Sequence, residues 1–275
     1  MAPTPSGYLH LGNAVNFVLT WLLVRRAGGT LHLRIDDLDR ARLRRLYLEN
    51  IFRVIDWLGI DYDLGPSGPD DFLRHYSQLL HLPEYNRVLR RLAQQSGLVY
   101  ATQRSRTSAV EPVPLGTPGA AWRVRVPPTI QVASSETPIP LAAVMPDFII
   151  RKKDGVAAYQ VASGVDDLRL GTTLVVRGQD LQPSTAAQLW LAGQISETQA
   201  FAEARVQFYH HSLLTDTAGN KLSKSTQTSG DAGVLALGRP GAVYRAVAQV
   251  LGLPVEAGES LATLQAAIKK GALPR

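Results

Sequence analysis

The chain has no cysteine in 275 residues, which excludes a disulfide framework and any thiolate metal site. It is also short of acid: 23 Asp and Glu stand against 29 Lys and Arg, for a formal net charge of +6 and a pI near 9.7. The excess is scattered through Arg25-Arg26, Arg42-Leu43-Arg44-Arg45, Arg90-Arg91 and Arg151-Lys152-Lys153 and not gathered into a tail. That distribution suits a polyanionic partner, because Lys and Arg supply most non-specific affinity for nucleic acid by neutralising phosphates. Long apolar runs are missing too. The longest, Val15 to Val24, is broken by Asn16 and Thr20 and is too short to span a bilayer. No signal peptide stands out, so the cytoplasm is the expected location and no membrane partner is expected. What is present, 45% hydrophobic and 19% charged residues over this length, fits one large or two modest globular domains with a substantial core.

Two short segments carry the strongest chemical signal. Pro5-Ser6-Gly7-Tyr8-Leu9-His10-Leu11-Gly12-Asn13 is a Gly-rich, His-bearing turn running into an apolar helix, an arrangement that offers backbone N–H groups and a positive helix end to an anion. Lys221-Leu222-Ser223-Lys224-Ser225 is a small polar loop able to bring an ammonium to a phosphate. Alone, the first reads equally as an ordinary turn and the second as a solvated basic loop; together they point to ATP chemistry.

Between them the pattern is α/β. Val15, Val18, Leu19 and Leu22 recur at helical spacing from Asn13 to about Ala27, and Gly28-Gly29 stops the helix. Leu31, Leu33 and Ile35 alternate with His32 and Arg34 as in a strand, and a second helix is predicted from Arg42 to Leu58. Further helices are expected near Pro83 to Ser96, Ser184 (as cap) to Ile195, Ala242 to Leu251 and Ser260 to Lys270, with a buried strand at Leu174-Val175-Val176. Thr102 to Pro146, rich in Pro, Ser, Thr and Gly around a strand at Trp122 to Val126, reads as an insertion, after which the α/β pattern resumes at Asp147-Phe148-Ile149-Ile150. The expected division is 1–99 and 147–235 as two halves of one nucleotide-binding domain, 100–146 as the insertion and 236–275 as a short helical tail.

Asp36, in Arg34-Ile35-Asp36-Asp37-Leu38-Asp39, lies just past a predicted strand, where ligands bind in open α/β sheets, and could pair with an ammonium; helix capping or ion pairing with the following arginines is the plainer role. Arg177 follows a buried strand and suits carboxylate recognition. Tyr159, among small apolar residues, could equally be core, and Asp166-Asp167 could hold structure or polarise a nucleotide site.

The order of the two phosphate segments resembles the HIGH and KMSKS signatures of class I aminoacyl-tRNA synthetases. The set Ala2 to Gly12, Arg34-Ile35-Asp36-Asp37, Asp147 to Ile150, Asp154-Gly155, Ala158-Tyr159, Val165-Asp166-Asp167, Val176-Arg177-Gly178 and Lys221 to Lys224 is similar to the catalytic domain of the glutamyl/glutaminyl-tRNA synthetase family over nearly the whole chain. The resemblance implies a Rossmann-type, doubly wound parallel sheet with an inserted acceptor-binding-like subdomain. With only a short tail after Ser225, the layout is nearest the glutamyl-Q branch, whose members activate glutamate and attach it to the queuosine base of a tRNA anticodon. It implies ATP with Mg²⁺ as cofactors, glutamate and a tRNA or tRNA-derived acceptor as partners, and a monomer. By the same resemblance His10 and Lys224 are catalytic; Pro5, Gly7, His10, Gly12, Asn13, Lys221, Ser223 and Lys224 bind ATP; and Ala2, Thr4, Asp36, Tyr159 and Arg177 bind the amino acid. The alternatives are a glutamyl- or glutaminyl-type paralogue with another acceptor, or a non-catalytic nucleotide- or tRNA-binding paralogue.

Three departures from the family pattern carry expectations. Relatives begin with an Arg-Phe-Ala-Pro-Ser-Pro-like segment, whereas Met1 here directly precedes Ala2. A central strand cut to two or three residues costs roughly 1–3 kcal/mol for each backbone group orphaned beside it, so the natural protein is expected to start upstream; an in-frame stop just before the Met1 codon would contradict this. Thr102 and Arg104 stand where many relatives carry Cys-x-Cys, so no zinc is expected. Asp36 replaces a glutamate usual in glutamate-specific members, and the Asp-Asp pair resembles the glutamine branch; glutamate is the first choice and glutamine the alternative.

Overall fold

The structure, a computed structural model, describes residues 1–103, 111–133, 138–203, 206–214 and 233–270. In chain order the helices and strands are α1 (Leu11–Arg26), α2 (Arg45–Trp57), α3 (Pro69–Asp71), α4 (Leu82–Ala93), β1 (Val99–Thr102), β2 (Ala121–Val124), β3 (Gln131–Val132), β4 (Ile139–Pro140), α5 (Leu141–Val144), β5 (Ile149–Arg151), α6 (Tyr159–Arg169), β6 (Leu174–Gly178), α7 (Gln182–Ala192), α8 (Gln199–Ala202), β7 (Gln207–His211), α9 (Gly241–Val250) and α10 (Leu261–Lys270). They fall into two compact units, one of Met1–Gln78, Val176–Gln179 and His210–Arg275, the other of Leu79–Val175 and Asp180–Tyr209.

In the first unit α1 is apolar on nearly every face, and all of its residues from Ala14 to Val24 except Asn16 are buried. A helix of that kind belongs inside a core, not on its surface. The extended chain 31–36 runs beside two neighbours. On one side Met1 N donates to His32 O at 2.6 Å, and Arg34 N and Asp36 N donate to Met1 O and Pro3 O at 2.9 Å. On the other, Leu33 N donates to Leu64 O at 2.8 Å and His32 pairs in parallel with Leu64. The residues from Met1 to Pro3 thus occupy the strand position beside 31–36. Trp21 and Arg25 on α1 reach the chain beyond this ladder, the Trp21 indole donating to Asp61 at 2.6 Å and Arg25 bonding Asp61 and Asp63.

The second unit contains an antiparallel sheet in the order β1-β2-β5 and the pair β3-β4. The run 147–150, expected as the return of the α/β alternation, instead leads into the third strand of that antiparallel sheet. Asp147 explains the difference. Its carboxylate accepts the Tyr100 hydroxyl at 2.8 Å and Val126 N at 3.0 Å, tying the chain before β5 to β1 and to the end of β2. Arg125 lies over the Tyr100 ring at 4.6 Å, Arg151 over Trp122 at 5.0 Å, and the Trp122 indole donates to Leu115 O. Packing and polar bonds of this kind hold the insertion together.

Helix α6 was not legible in Ala-Ser-Gly-rich sequence, and it is set by a buried bond: Tyr85 on α4 donates its hydroxyl at 2.8 Å to Asp166, whose surface is fully buried. Of the two roles open to Asp166, the structural one is realised. Tyr85→Phe removes that donor and is expected to cost about 1–3 kcal/mol, read as a lower denaturant midpoint; an unchanged midpoint contradicts it. Helix α7 starts at Gln182 instead of being capped by Ser184, because Pro183 is well suited to a first helical turn.

Candidate active site

The residues before α1 approach it as an extended turn: Ser6 N donates to Thr4 O, Pro3 and Pro5 are buried, and Ala2 and Thr4 are exposed. His10 is the N-cap of α1, and Asn13 Oδ1 accepts His10 N at 3.0 Å. The first turn of this helix carries no acidic residue and His10 O accepts the Asn13 N–H, so no carboxylate of that turn offsets the positive end of the helix dipole. A Cβ placed on Gly12 would come within 3.2 Å of the His10 imidazole. Glycine there lets the ring lie close against the first turn, while the Cβ position of Gly7 meets nothing within 4 Å. Pro5, Gly7, His10, Gly12 and Asn13 are therefore one continuous element. Lys221, Ser223 and Lys224 lie outside the described residues.

Asp36 and Asp37 point to different tasks because successive side chains on extended backbone face opposite sides. Asp37, 1% exposed, accepts the Ser77 hydroxyl at 2.6 Å, Gln78 N at 2.8 Å and the Arg40 guanidinium at 2.7 Å. It anchors the chain at 77–78. Asp36, 8% exposed, is held by Arg34 in a two-pronged bond of 2.7 and 3.2 Å. The ion pair that sequence assigned to the following arginines is thus made by Asp37 with Arg40, while Asp36 takes the preceding Arg34. Spacing of two on a strand, which puts both side chains on one face, was the signal available for that pair.

Arg177 is buried near the end of β6, which pairs with β7. At the end of β7, His211 is buried with Nδ1 2.8 Å from Ser212 O and Nε2 3.2 Å from Asn16 Oδ1 on α1. The His210 pKa is pushed down from 6.5 to about 4, first by burial and then by the charges of Arg177 and His211. Neither histidine was singled out in the sequence. Since the unfolded chain accepts a proton that folded His210 refuses, its contribution to stability is complete above about pH 6.5 and is lost as the pH falls toward about 4. Unfolding midpoints measured across that range should decline for the wild type more than for His210→Gln; parallel declines would contradict the assignment.

Tyr159 is the first residue of α6 and 38% exposed, so it is not a core tyrosine. It belongs to the second unit, whereas Ala2, Thr4, Asp36 and Arg177 belong to the first. Thr102 is buried in β1, and a neutral hydroxyl does not fit a zinc site; Arg104 lies outside the described residues. Among the described residues no group of three or more His, Cys, Asp or Glu could hold a metal, and no helix is long and apolar enough to cross a membrane.

Residues 1–107 and 122–273 match the family of tRNA synthetases class I (E and Q), catalytic domain. A glutamyl-Q tRNA(Asp) synthetase of Nitratidesulfovibrio vulgaris is 35% identical over 266 residues, covering 83% of this chain and 78% of that protein. One from Symbiobacterium thermophilum is 34% identical over 270 residues, covering 86% and 80%. A solved glutamate-tRNA synthetase from Elizabethkingia anophelis superposes with a TM-score of 0.74 at 21% identity, over 98% of this chain and 66% of that one. The shared fold is the α/β fold of class I synthetases, and the chain spans about two thirds of that solved structure.

Proposed function

Because the chain belongs to the class I tRNA synthetases of the E and Q type, through their catalytic domain, we propose that it activates glutamate with ATP and transfers the glutamyl group to a tRNA, in the manner of the glutamyl-Q tRNA(Asp) synthetases. The observation that carries the glutamyl-Q reading is mutual coverage: the alignment takes in 83% of this chain and 78% of the relative.

The reaction needs no protein nucleophile. A glutamate α-carboxylate oxygen attacks the ATP α-phosphorus, the bond to the bridging oxygen of the β-phosphate breaks, and pyrophosphate leaves. An RNA hydroxyl oxygen then attacks the activated carbonyl and AMP leaves. The protein's part is positioning and charge stabilisation. The positive end of α1 and the His10 imidazole receive phosphate oxygens, and Lys224 brings an ammonium to them. Asp36, oriented by Arg34, takes the ammonium of the amino acid, with Arg177 and Tyr159 as further contacts. Mg²⁺ would enter with ATP on phosphate oxygens and water, neutralising charge on the leaving pyrophosphate.

The acceptor is tested with radiolabelled glutamate, ATP and tRNA(Asp) prepared with and without queuosine. Label on the queuosine-bearing tRNA alone is expected. Equal labelling of both tRNAs would put the glutamyl group elsewhere.

A further inference from the structure

Asn50 sits in the middle of α2 and is 2% exposed, on the face that also buries Leu48, Ile51, Val54 and Ile55. An amide in such a place is costly unless bonded. Its Oδ1 accepts the backbone N–H of Leu9 at 2.9 Å. The Leu9 carbonyl accepts Val234 N at 2.7 Å. The next N–H, that of His10, goes to Asn13 Oδ1 at 3.0 Å. Partners from α2, from residue 234 and from α1 thus fix consecutive backbone groups immediately before the helix end.

Gly233 makes this closeness possible. Its φ is +56°, and a Cβ there would lie 2.5 Å from Leu9 O and 2.7 Å from Tyr8 Cβ. The segment that follows is itself anchored on α2, where the Trp57 indole donates to Gly238 O at 3.0 Å. A buried amide bonded to the backbone of a phosphate turn can do something that a leucine cannot: it sets the rotation of the Tyr8–Leu9 peptide, and through it the aim of His10 and of the first turn of α1.

We infer that Asn50 is a positioning residue for the nucleotide, acting through the Leu9 backbone that it and Val234 hold between them, with Gly233 as the residue that permits the grip. This rests on the function proposed above, in which His10 and the start of α1 receive ATP. A residue that merely stabilises the fold would affect both substrates alike. A positioning residue on this turn should affect ATP selectively, because misplacement of about 1 Å can cost up to 10²-fold.

The test compares wild type, Asn50→Leu and Gly233→Ala in three readouts: MgATP affinity by equilibrium titration, the KM values for ATP and glutamate in pyrophosphate exchange, and hydrogen-exchange protection of the Leu9 amide. The expected result is MgATP binding weaker by on the order of tenfold, a glutamate KM within about twofold, and loss of Leu9 protection in Asn50→Leu. MgATP affinity within twofold of wild type in the folded variants, or an equal loss for glutamate, overturns the inference. If Asn50→Leu does not fold, Gly233→Ala, which acts on the next peptide through the Leu9 carbonyl, decides alone. A wild type that binds MgATP but exchanges pyrophosphate with no amino acid defeats the proposed function, and the affinity comparison still decides this inference.

Discussion

His10→Ala is expected to lower the rate of glutamate-dependent pyrophosphate exchange by about 10²–10³-fold. The imidazole stands at the N-cap of α1, against Gly12, at a helix end with no acidic residue in its first turn. Negative charge grows on the phosphate oxygens as pyrophosphate departs, and a donor fixed in advance at that point stabilises the transition state more than the bound substrate. The loss should therefore fall on kcat more than on the KM for ATP. Stability should change by no more than about 1 kcal/mol, the typical scale of an N-cap side chain, because the backbone bonds of Leu9 and His10 to Asn50, Val234 and Asn13 remain. Steady-state exchange kinetics with a parallel thermal melt separate the two effects. Exchange retained within tenfold would remove His10 from the chemistry.

Asp36→Ala is expected to destabilise the fold by about 3–5 kcal/mol, the usual cost of breaking a buried ion pair from one side. Arg34 and Asp36 have side-chain exposures of only 9% and 10%, and the guanidinium holds both carboxylate oxygens. The alanine variant removes that carboxylate while leaving the guanidinium in a low-dielectric site. Chemical denaturation reads the loss. Asp36→Asn keeps the shape and one oxygen acceptor for Arg34, so it should cost less stability than alanine while removing the charge offered to an amino group, and its kinetics are read on protein shown to be folded. The glutamate KM should rise by on the order of tenfold or more, from the loss of a charge-assisted contact, while the KM for ATP stays near wild type. If Asp36→Ala unfolds at the wild-type midpoint, the pair with Arg34 is not what holds this strand end.

Much of this was readable in residue order, and the rest fails for identifiable reasons. The turn into α1 was legible because Gly7, His10 and Gly12 precede a long apolar run, and the chain 31–36 because apolar and polar residues alternate. The partner of Asp36 was missed because helix-style spacing was applied to the arginines that follow, when the backbone there is extended and pairs residues two apart. The run 147–150 reads the same whether it joins a parallel or an antiparallel sheet, and only the Asp147 bonds to Tyr100 and Val126 decide. Helix α6 was hidden by small residues whose helical state depends on packing against α4 and α7. Asn50 could not be found at all: an asparagine in a helical pattern carries no sign that its partner lies in a turn far away in sequence.

Met1 to Pro3 supplies ladder bonds to His32, Arg34 and Asp36, so the backbone groups of the segment that carries Asp36 are satisfied on that side.

The central claim, that this chain makes glutamyl adenylate by itself, is met most directly by ATP–pyrophosphate exchange with purified protein in the absence of tRNA, with glutamate, glutamine and aspartate supplied one at a time. Exchange driven by glutamate alone is the predicted result. No exchange with any of the three, whether or not tRNA is then added, or exchange driven by glutamine and not glutamate, would contradict it.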